Sequence, residues 1–578
     1  MKTSIKPLLW LISGAICFGV ASCDGTELEE LLVDPNQPNP GSIDLEFVFN
    51  SVQTEMPKFL GGFTNGPGDG LPGGNGAYDI TNQFMRYINM GGGNQYNNAF
   101  FGQSYDFIWS QAYSEILPDI ESSKNEARKR GRVGLVGVSQ VYEAMVYLTL
   151  VDLFGEVPFT EALQGAEVFN PSVSEGAVVY EAMLNNLDSA ILNFRVVMNT
   201  VPLQTIPFDL IYDGDASTWI KAANSLKLKA LLNLRLVDAG QAKSGIEAIV
   251  ASGEFIDGMS SDFVFPYSTQ RNNTNSRSRH YSLNYETGAG QYIGNQFMFD
   301  MLTDYSVVDP RLRYYVYRQD TDATDEDFFT LECQTNSAPG HFSNFGDQPY
   351  CTANPELGYW GRDHGNNDGI PPDDLKRSIP GVFPAGGAFD DDSAQGVGDD
   401  NGAGGAQGAG ILPIVMSSFV DFMRAEAALT LGTNGEDAKE LLLSAVESSF
   451  TSVHNYSASF PGITIPDTFS IVGGRADDVE QYLSEVGDAY DDADDDGKLN
   501  VIGQEYYKAL WLNGLEAYNL YRRTGKPENL QPTREPNGGD FPRSNLYPTV
   551  ATTLNSNISQ RAITDQVFWD TNPAGFIY

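Results

Sequence analysis

Residues Ile211–Leu236 read IYDGDASTWIKAANSLKLKALLNLRL, and the rest of the chain is organised around them. An acidic glycine turn, Asp213-Gly214-Asp215, leads into Ser217. The side-chain oxygen of either Asp215 or Ser217 is placed to accept from the open N–H groups of a first helical turn. Trp219, Ala223, Leu226, Ala230, Leu231 and Leu234 then recur at helical spacing. The pattern predicts an amphipathic helix with one apolar face about four turns long. Lys221, Lys227 and Lys229 are dispersed around the remaining surface. Periodicity by itself stops at the core helix of a helical protein.

The order of residues says more. Gly214-Asp215, Trp219, Lys221, Ala223-Asn224-Ser225-Leu226 and Lys227-Leu228 resemble the central helix of the SusD/RagB family. Further runs similar to that family follow its order: Asp152-Leu153-Phe154-Gly155-Glu156-Val157-Pro158-Phe159, Asp309-Pro310-Arg311-Leu312, and Phe422 to Ala428. Late in the chain come Gln504 to Trp511, Glu516-Ala517-Tyr518, Arg522-Arg523-Thr524-Gly525-Lys526-Pro527, Pro542-Arg543 and Trp569-Asp570. The resemblance implies an all-α fold of stacked tetratricopeptide-like helix pairs, with long irregular insertions forming the ligand face. The sequence has no repeat of fixed period, so this architecture comes from the resemblance alone. It further implies a binding protein rather than an enzyme, one that captures glycan for a SusC-like TonB-dependent transporter. Peptide capture, as in the RagB branch, is the alternative.

The amino-terminal residues fit that setting. Lys2 and Lys6 precede the apolar run Leu8–Val20, which has signal-peptide length and is too short to span a bilayer. Val20-Ala21-Ser22-Cys23 resembles a bacterial lipobox, making Cys23 the expected lipidation site. Asp24, Glu27, Glu29 and Glu30 follow, similar to the acidic signal for the outer face of the outer membrane. The expected organisation is a signal peptide over 1–22, an acylated surface tether over 23–42 and a single domain over 43–578. Within that domain, periodicity fails over about 254–411, the expected ligand-binding insertion. Gly381–Gly410, low in complexity, is expected to be a mobile loop. Helices are predicted over Ile43–Leu60, Ile80–Met90, Phe100–Ile120, Val133–Phe154, Tyr180–Val197, Gln291–Leu302 and Asp437–Phe450, with helical order resuming at Ile414 after the insertion.

The formal charge of −41 repels phosphate backbones and excludes nucleic acid as a partner. Of four cysteines, Cys17 leaves with the signal peptide and Cys23 takes lipid. Cys333 and Cys351 then read as a disulfide in an exported chain, with two free buried thiols as the alternative. Four histidines without zinc spacing, no G-x-S-x-G elbow and no P-loop leave no catalytic signature.

Two site expectations remain. Asp492, Asp494 and Asp496, with Gly497 and the carbonyl of Lys498, match the first half of an EF-hand calcium loop, although Gly503 stands where the bidentate acid belongs. The competing reading is a solvated acidic turn. For the ligand, sugar rings stack on exposed aromatics while amides and arginines bond their hydroxyls. Tyr87, Asn94, Tyr96, Arg277, Arg279, Tyr281, Tyr285, Trp360 and Arg362 are the candidates. Arg271, Arg277 and Arg279, with no acid between Gln270 and His280, bias the ligand toward an anionic polysaccharide. Offsetting of nearby carboxylates, or docking on the transporter, are the alternatives.

Overall fold

The computed structural model describes residues 44–578 except 65–72, 91–92, 201–204, 272–274, 287–289, 321–332, 334, 355–356, 367–376, 391–396, 398–404 and 461–474. Residues 1–48 and 49–578 form separate units, and of the first only 44–48 are described. The expected signal peptide, Cys23 and the tether lie outside the described residues.

The longer helices are α1 (Leu45–Gly61), α2 (Ala77–Phe84), α3 (Leu117–Lys129), α4 (Val133–Phe154), α5 (Gly176–Asn199), α6 (Ala216–Leu234) and α7 (Ala239–Ser252). After the insertion and its short α8 (Asn295–Thr303) come α9 (Ser417–Leu431), α10 (Ala438–Ser459), α11 (Arg475–Asp492), α12 (Asp495–Ala509) and α13 (Gly514–Thr524). Successive helices are neighbours: α3 packs on α4, α4 on α5, α5 on α6 and α6 on α7. The second series runs from α9 through α10, α11 and α12 to α13, and α6 packs on α9 to join the two. This is the all-α, tetratricopeptide-like stacking that the sequence implies. Among the described residues, α4 is long and apolar enough to cross a membrane, but it is buried in the helical body.

Among the described residues, three two-stranded antiparallel sheets decorate the helices: β1 (Val157–Pro158) with β2 (Val173–Ser174), β3 (Phe263–Pro266) with β6 (Ile411–Val415), and β4 (Val316–Tyr317) with β5 (Ile379–Pro380). Ile414 therefore lies in a strand, and the helix begins at Ser417. The aliphatic run Ile411-Leu412-Pro413-Ile414-Val415 is buried throughout, and pairing with β3 overrides its helical neighbourhood. The glycine run is likewise not loose where it is described. A Cβ on Gly381 would lie 2.1 Å from the Cα of Gly386, and one on Gly408 would lie 2.6 Å from the Cβ of Arg277. Glycine is there for close packing.

The central helix explains its own motif. Asp215 is the N-cap, accepting from the Ser217 N–H at 2.8 Å. Asp209, one turn upstream, accepts from the N–H groups of Ile211, Tyr212 and Gly214 and from Trp219 Nε1 at 2.7 Å. That carboxylate pins the acidic turn onto a tryptophan buried against Tyr142, Phe194, Tyr212 and Phe263. Ala222 and Ala223 are fully buried, while Asn224 donates to the Glu254 carbonyl and Ser225 accepts from the Ile256 N–H. These two polar side chains satisfy backbone groups just after α7 that would otherwise be buried unpaired.

The scattered motifs converge on buried polar networks. Arg523 holds Glu426 from α9 at 2.9 Å and Glu516 at 3.0 Å, and Arg235 and Lys229 from the central region bind the same two acids. Burial pushes the Glu426 carboxyl up, but Arg523 and Arg235 outweigh it and hold the group below its usual range. Asp152, before the Gly155 turn, accepts from Tyr180, Trp569 Nε1 and Asn519. Arg311 bridges Asp309 and Glu505 with no exposure on any of the three side chains, and Lys508 joins Glu505 to Asp304. The motifs are thus the polar interior of the stack.

Candidate ligand-binding cleft

The disulfide Cys333–Cys351 is formed, with Cα atoms 5.7 Å apart, and it brackets a segment that builds one wall of an open cleft of about 490 Å³. His341, Asn344 and Phe345 line that wall, and Thr533, Glu535, Asn537, Gly538 and Asp540 line the facing one. Tyr96 and Tyr578 also line it. The Phe345 and Tyr578 rings lie 4.5 Å apart at 46° and are both partly exposed, a tilted aromatic surface of the kind that receives the C–H face of a sugar. Asn344, Asn537, Glu535 and Asp540 are solvent-exposed around it.

Each wall is held from behind. His341 Nε2 lies 2.9 Å from the Thr533 carbonyl, and the Tyr96 N–H donates to the Gly538 carbonyl at 3.0 Å. Thr533 Oγ1 donates to the Glu535 carbonyl, closing a turn in which a Cβ on Gly538 would fall 1.8 Å from that same Oγ1. Only glycine fits there. Behind both walls, Asp363 accepts from the Cys351 N–H at 2.8 Å and from the side-chain amides of Asn295 and Gln531 at 2.8 and 3.1 Å. Gln531 also donates to the Pro349 carbonyl and accepts from the His364 N–H. Burial raises the Asp363 carboxyl, while burial and then the charge of Arg86 hold His364 well below the usual imidazole range, so it remains neutral beside Tyr96 Oη at 2.9 Å.

The structure sorts the sequence candidates. Tyr96 reaches the cleft, but its ring is 1% exposed and packs edge-on against Phe84 and Phe541. Asn94 is partly exposed beside Gly365, whose neighbour His364 backs the cleft. Arg362 stacks on the Tyr292 ring at 4.1 Å and is partly exposed, on the strand-like run that leads to Asp363.

The remaining candidates are corrected. Tyr87 is fully buried, stacked on Tyr507 at 4.7 Å, with its hydroxyl donating to the Tyr507 carbonyl. Trp360 is 3% exposed. Tyr281 and Tyr285 are buried and stacked on one another in a cluster with Ile379, Val382 and Ala406. These rings are core, because in this fold the loops themselves have apolar interiors. The three arginines are paired: Arg271 and Arg277 with Glu286, both at 2.8 Å, and Arg279 with Asp79 at 2.8 Å. Arg279 also donates to the Phe63 and Gly74 carbonyls. Their role is to offset carboxylates and tie down loops, and the observation behind an anionic ligand is lost.

The calcium-loop run has a different geometry as well. Asp494 is the N-cap of α12, accepting from the Gly497 N–H at 2.9 Å, and Asp495 and Asp496 occupy its first turn. Asp496 pairs with Lys526 at 2.8 Å, and Lys498 lies within the helix. Asp492 ends α11, so Asp492, Asp494, Asp496 and the Lys498 carbonyl do not converge. Among the described residues no group of three or more acidic, histidine or cysteine side chains is placed to hold a metal ion. The residues that sequence reasoning missed, Phe345, Asn344, Asn537, Glu535, Asp540 and Tyr578, carry no motif. The clue was the disulfide, whose short span isolates the segment that carries His341, Asn344 and Phe345.

Comparison with known proteins bears on the whole chain. Residues 71–340 match the family model described as SusD-like, starch-binding and associating with the outer membrane. Residues 411–557 match the model of SusD and RagB outer membrane lipoproteins. Among solved structures, a SusD/RagB family protein from Bacteroides thetaiotaomicron VPI-5482 is 18% identical, covering 93% of this chain and 99% of its own, with a TM-score of 0.63. A SusD homologue from Bacteroides fragilis NCTC 9343 is 15% identical over 92% of this chain and 100% of its own, with a TM-score of 0.62. A protein described as chitin-binding is 16% identical over the same shares, with a TM-score of 0.60. At these identities the likeness establishes the fold. No curated protein matches the sequence.

Proposed function

The chain belongs to the SusD/RagB family, whose models are described by association with the outer membrane, and on that premise we propose that it captures glycan at the cell surface and delivers it to a SusC-like TonB-dependent transporter. The observation that carries the reading is the open cleft: a partly exposed Phe345–Tyr578 surface ringed by Asn344, Asn537, Glu535 and Asp540. Apolar ring faces and hydrogen-bonding rims on rigidly backed loops are what a sugar requires. The descriptions of the matching family model as starch-binding and of one structural relative as chitin-binding support the same class. The matching family model describes binding, which supports binding without turnover as the proposed activity. Cys23 is the proposed lipid anchor and the outward face of the outer membrane the proposed location.

The test is a binding panel of oligosaccharides and peptides by calorimetry, with release of reducing ends assayed in parallel. Binding of glycans without hydrolysis is expected. Binding of peptides alone would replace glycan capture with peptide capture. On intact cells, external protease is expected to digest the protein and Cys23→Ala to abolish its membrane fractionation; survival of the wild type would count against surface exposure.

A further inference from the structure

The charge on the rim of the cleft is of one sign. Glu535 and Asp540 stand exposed on its rim, and neither has an ion-pair partner among the described residues. The nearby basic side chains among the described residues are engaged elsewhere. Arg534 donates to the Asn366 side chain at 2.9 Å. Arg86 lies beneath, 1% exposed, and donates to the carbonyls of Phe84, Gln531 and Tyr578. His341 faces the Thr533 carbonyl. Among the described residues the rim is therefore net negative, on a chain whose formal charge is already −41.

We propose that this cleft takes uncharged sugars and rejects anionic ones, with Glu535 and Asp540 as the residues that decide the difference; the proposal rests on glycan capture as the function of the cleft. A carboxylate accepts two hydroxyl protons and is suited to a pair of neighbouring hydroxyls on a neutral ring. A uronate or sulfate at the same place brings like charges together, which weakens binding on the order of fivefold for one pair near contact in water. The background charge of the chain acts in the same direction at low salt and fades as the Debye length shrinks to about 8 Å near physiological ionic strength. The proposal reverses the ligand bias suggested by the arginines of the sequence, because those arginines are neutralised elsewhere and these acids are not.

The experiment measures affinity for matched lengths of neutral, uronate and sulfated oligosaccharides at low and at physiological salt, in the wild type and in a Glu535→Gln/Asp540→Asn variant. Neutral ligands are expected to bind five- to tenfold more tightly than uronates at low salt, with the ratio narrowing as salt rises. In the variant the ratio should fall to within about twofold. Both substitutions lie on the exposed rim, and an unchanged melting temperature checks that the fold is intact. Uronates or sulfated ligands binding as tightly as neutral ones, or a ratio unmoved in the variant, would overturn the inference while leaving glycan capture standing. Binding of no oligosaccharide of any class would instead overturn glycan capture itself.

Discussion

Two regions of this molecule carry comparable numbers of polar side chains and use them in opposite ways. Between the helices, Glu426, Arg523, Glu516 and Arg235 form a network in which every side chain is almost or entirely sealed from water. Around the cleft, Asn344, Asn537, Glu535 and Asp540 stand in solvent. A buried charge needs a specific partner of fixed geometry, so it leaves a rigid imprint on sequence; an exposed amide on a loop needs none and leaves no imprint. The family-like motifs are accordingly the interior, and the cleft is anonymous.

The largest expected effect tests the interior. Glu426→Ala leaves Arg523 and Arg235 facing one another without their shared carboxylate, and removal of one partner from a buried pair costs about 3–5 kcal/mol. Denaturant unfolding should show that loss, with glycan affinity of the surviving folded fraction unchanged. A loss below about 1 kcal/mol would mean that water or a rearranged acid reaches Arg523, and that the motif is not the keystone of the helical stack.

This asymmetry sets what was legible beforehand. The central helix, its Asp215 cap, α4 to the residue and the disulfide follow from periodicity, capping chemistry and cysteine usage. Strand β6 was misread as helix because a five-residue aliphatic run has no period of its own. The acidic run at Asp492–Lys498 matched a calcium loop because N-caps and calcium loops favour the same residues, and only the backbone distinguishes them. Tyr87, Tyr281, Tyr285 and Trp360 failed as ligand platforms for a related reason: a tyrosine in a glycine-rich loop looks exposed until the loop is known to pack. Arg277 and Arg279 have no acid between Gln270 and His280, and their partners Glu286 and Asp79 come from outside that run.

A second perturbation crosses from interior to cleft. Replacing Cys333 and Cys351 by serine releases the constraint on an 18-residue span that carries His341, Asn344 and Phe345, and the effect is expected as local opening of that segment rather than of the helical stack. Asp363 still holds the Cys351 N–H from the protein side, so the helical stack should unfold at a similar denaturant concentration while the wall loosens. The expected signature is a glycan affinity that falls more than global stability does, reproduced by adding reductant to the wild type. Equal affinity with and without the bridge would show that the walls are set by Asp363 and Gln531 alone.

The smallest expected effect, that of Phe345→Ala, gives the sharpest comparison, because it is read against a buried aromatic ring. Phe345 is partly exposed on the cleft surface, where its ring meets Tyr578. Tyr87 is fully buried, with Tyr507 stacked against it and Phe297 and Trp511 at its edges. Truncating a stacking surface removes about 0.5–1.5 kcal/mol, so Phe345→Ala should weaken glycan binding roughly two- to twelvefold and leave the unfolding midpoint nearly unmoved. Tyr87→Ala opens a cavity among three aromatic neighbours and orphans the Tyr507 carbonyl that its hydroxyl satisfies. That should cost about 3–5 kcal/mol of stability, by analogy with other large aromatic truncations, with affinity retained in whatever remains folded. Calorimetry and denaturant unfolding on the same two variants give four numbers, and the assignment requires the large ones to fall on opposite diagonals. If Tyr87→Ala weakened binding more than Phe345→Ala at unchanged stability, the ligand would have to reach the interior of the loops, and the cleft between Phe345 and Asp540 would lose its claim to the sugar.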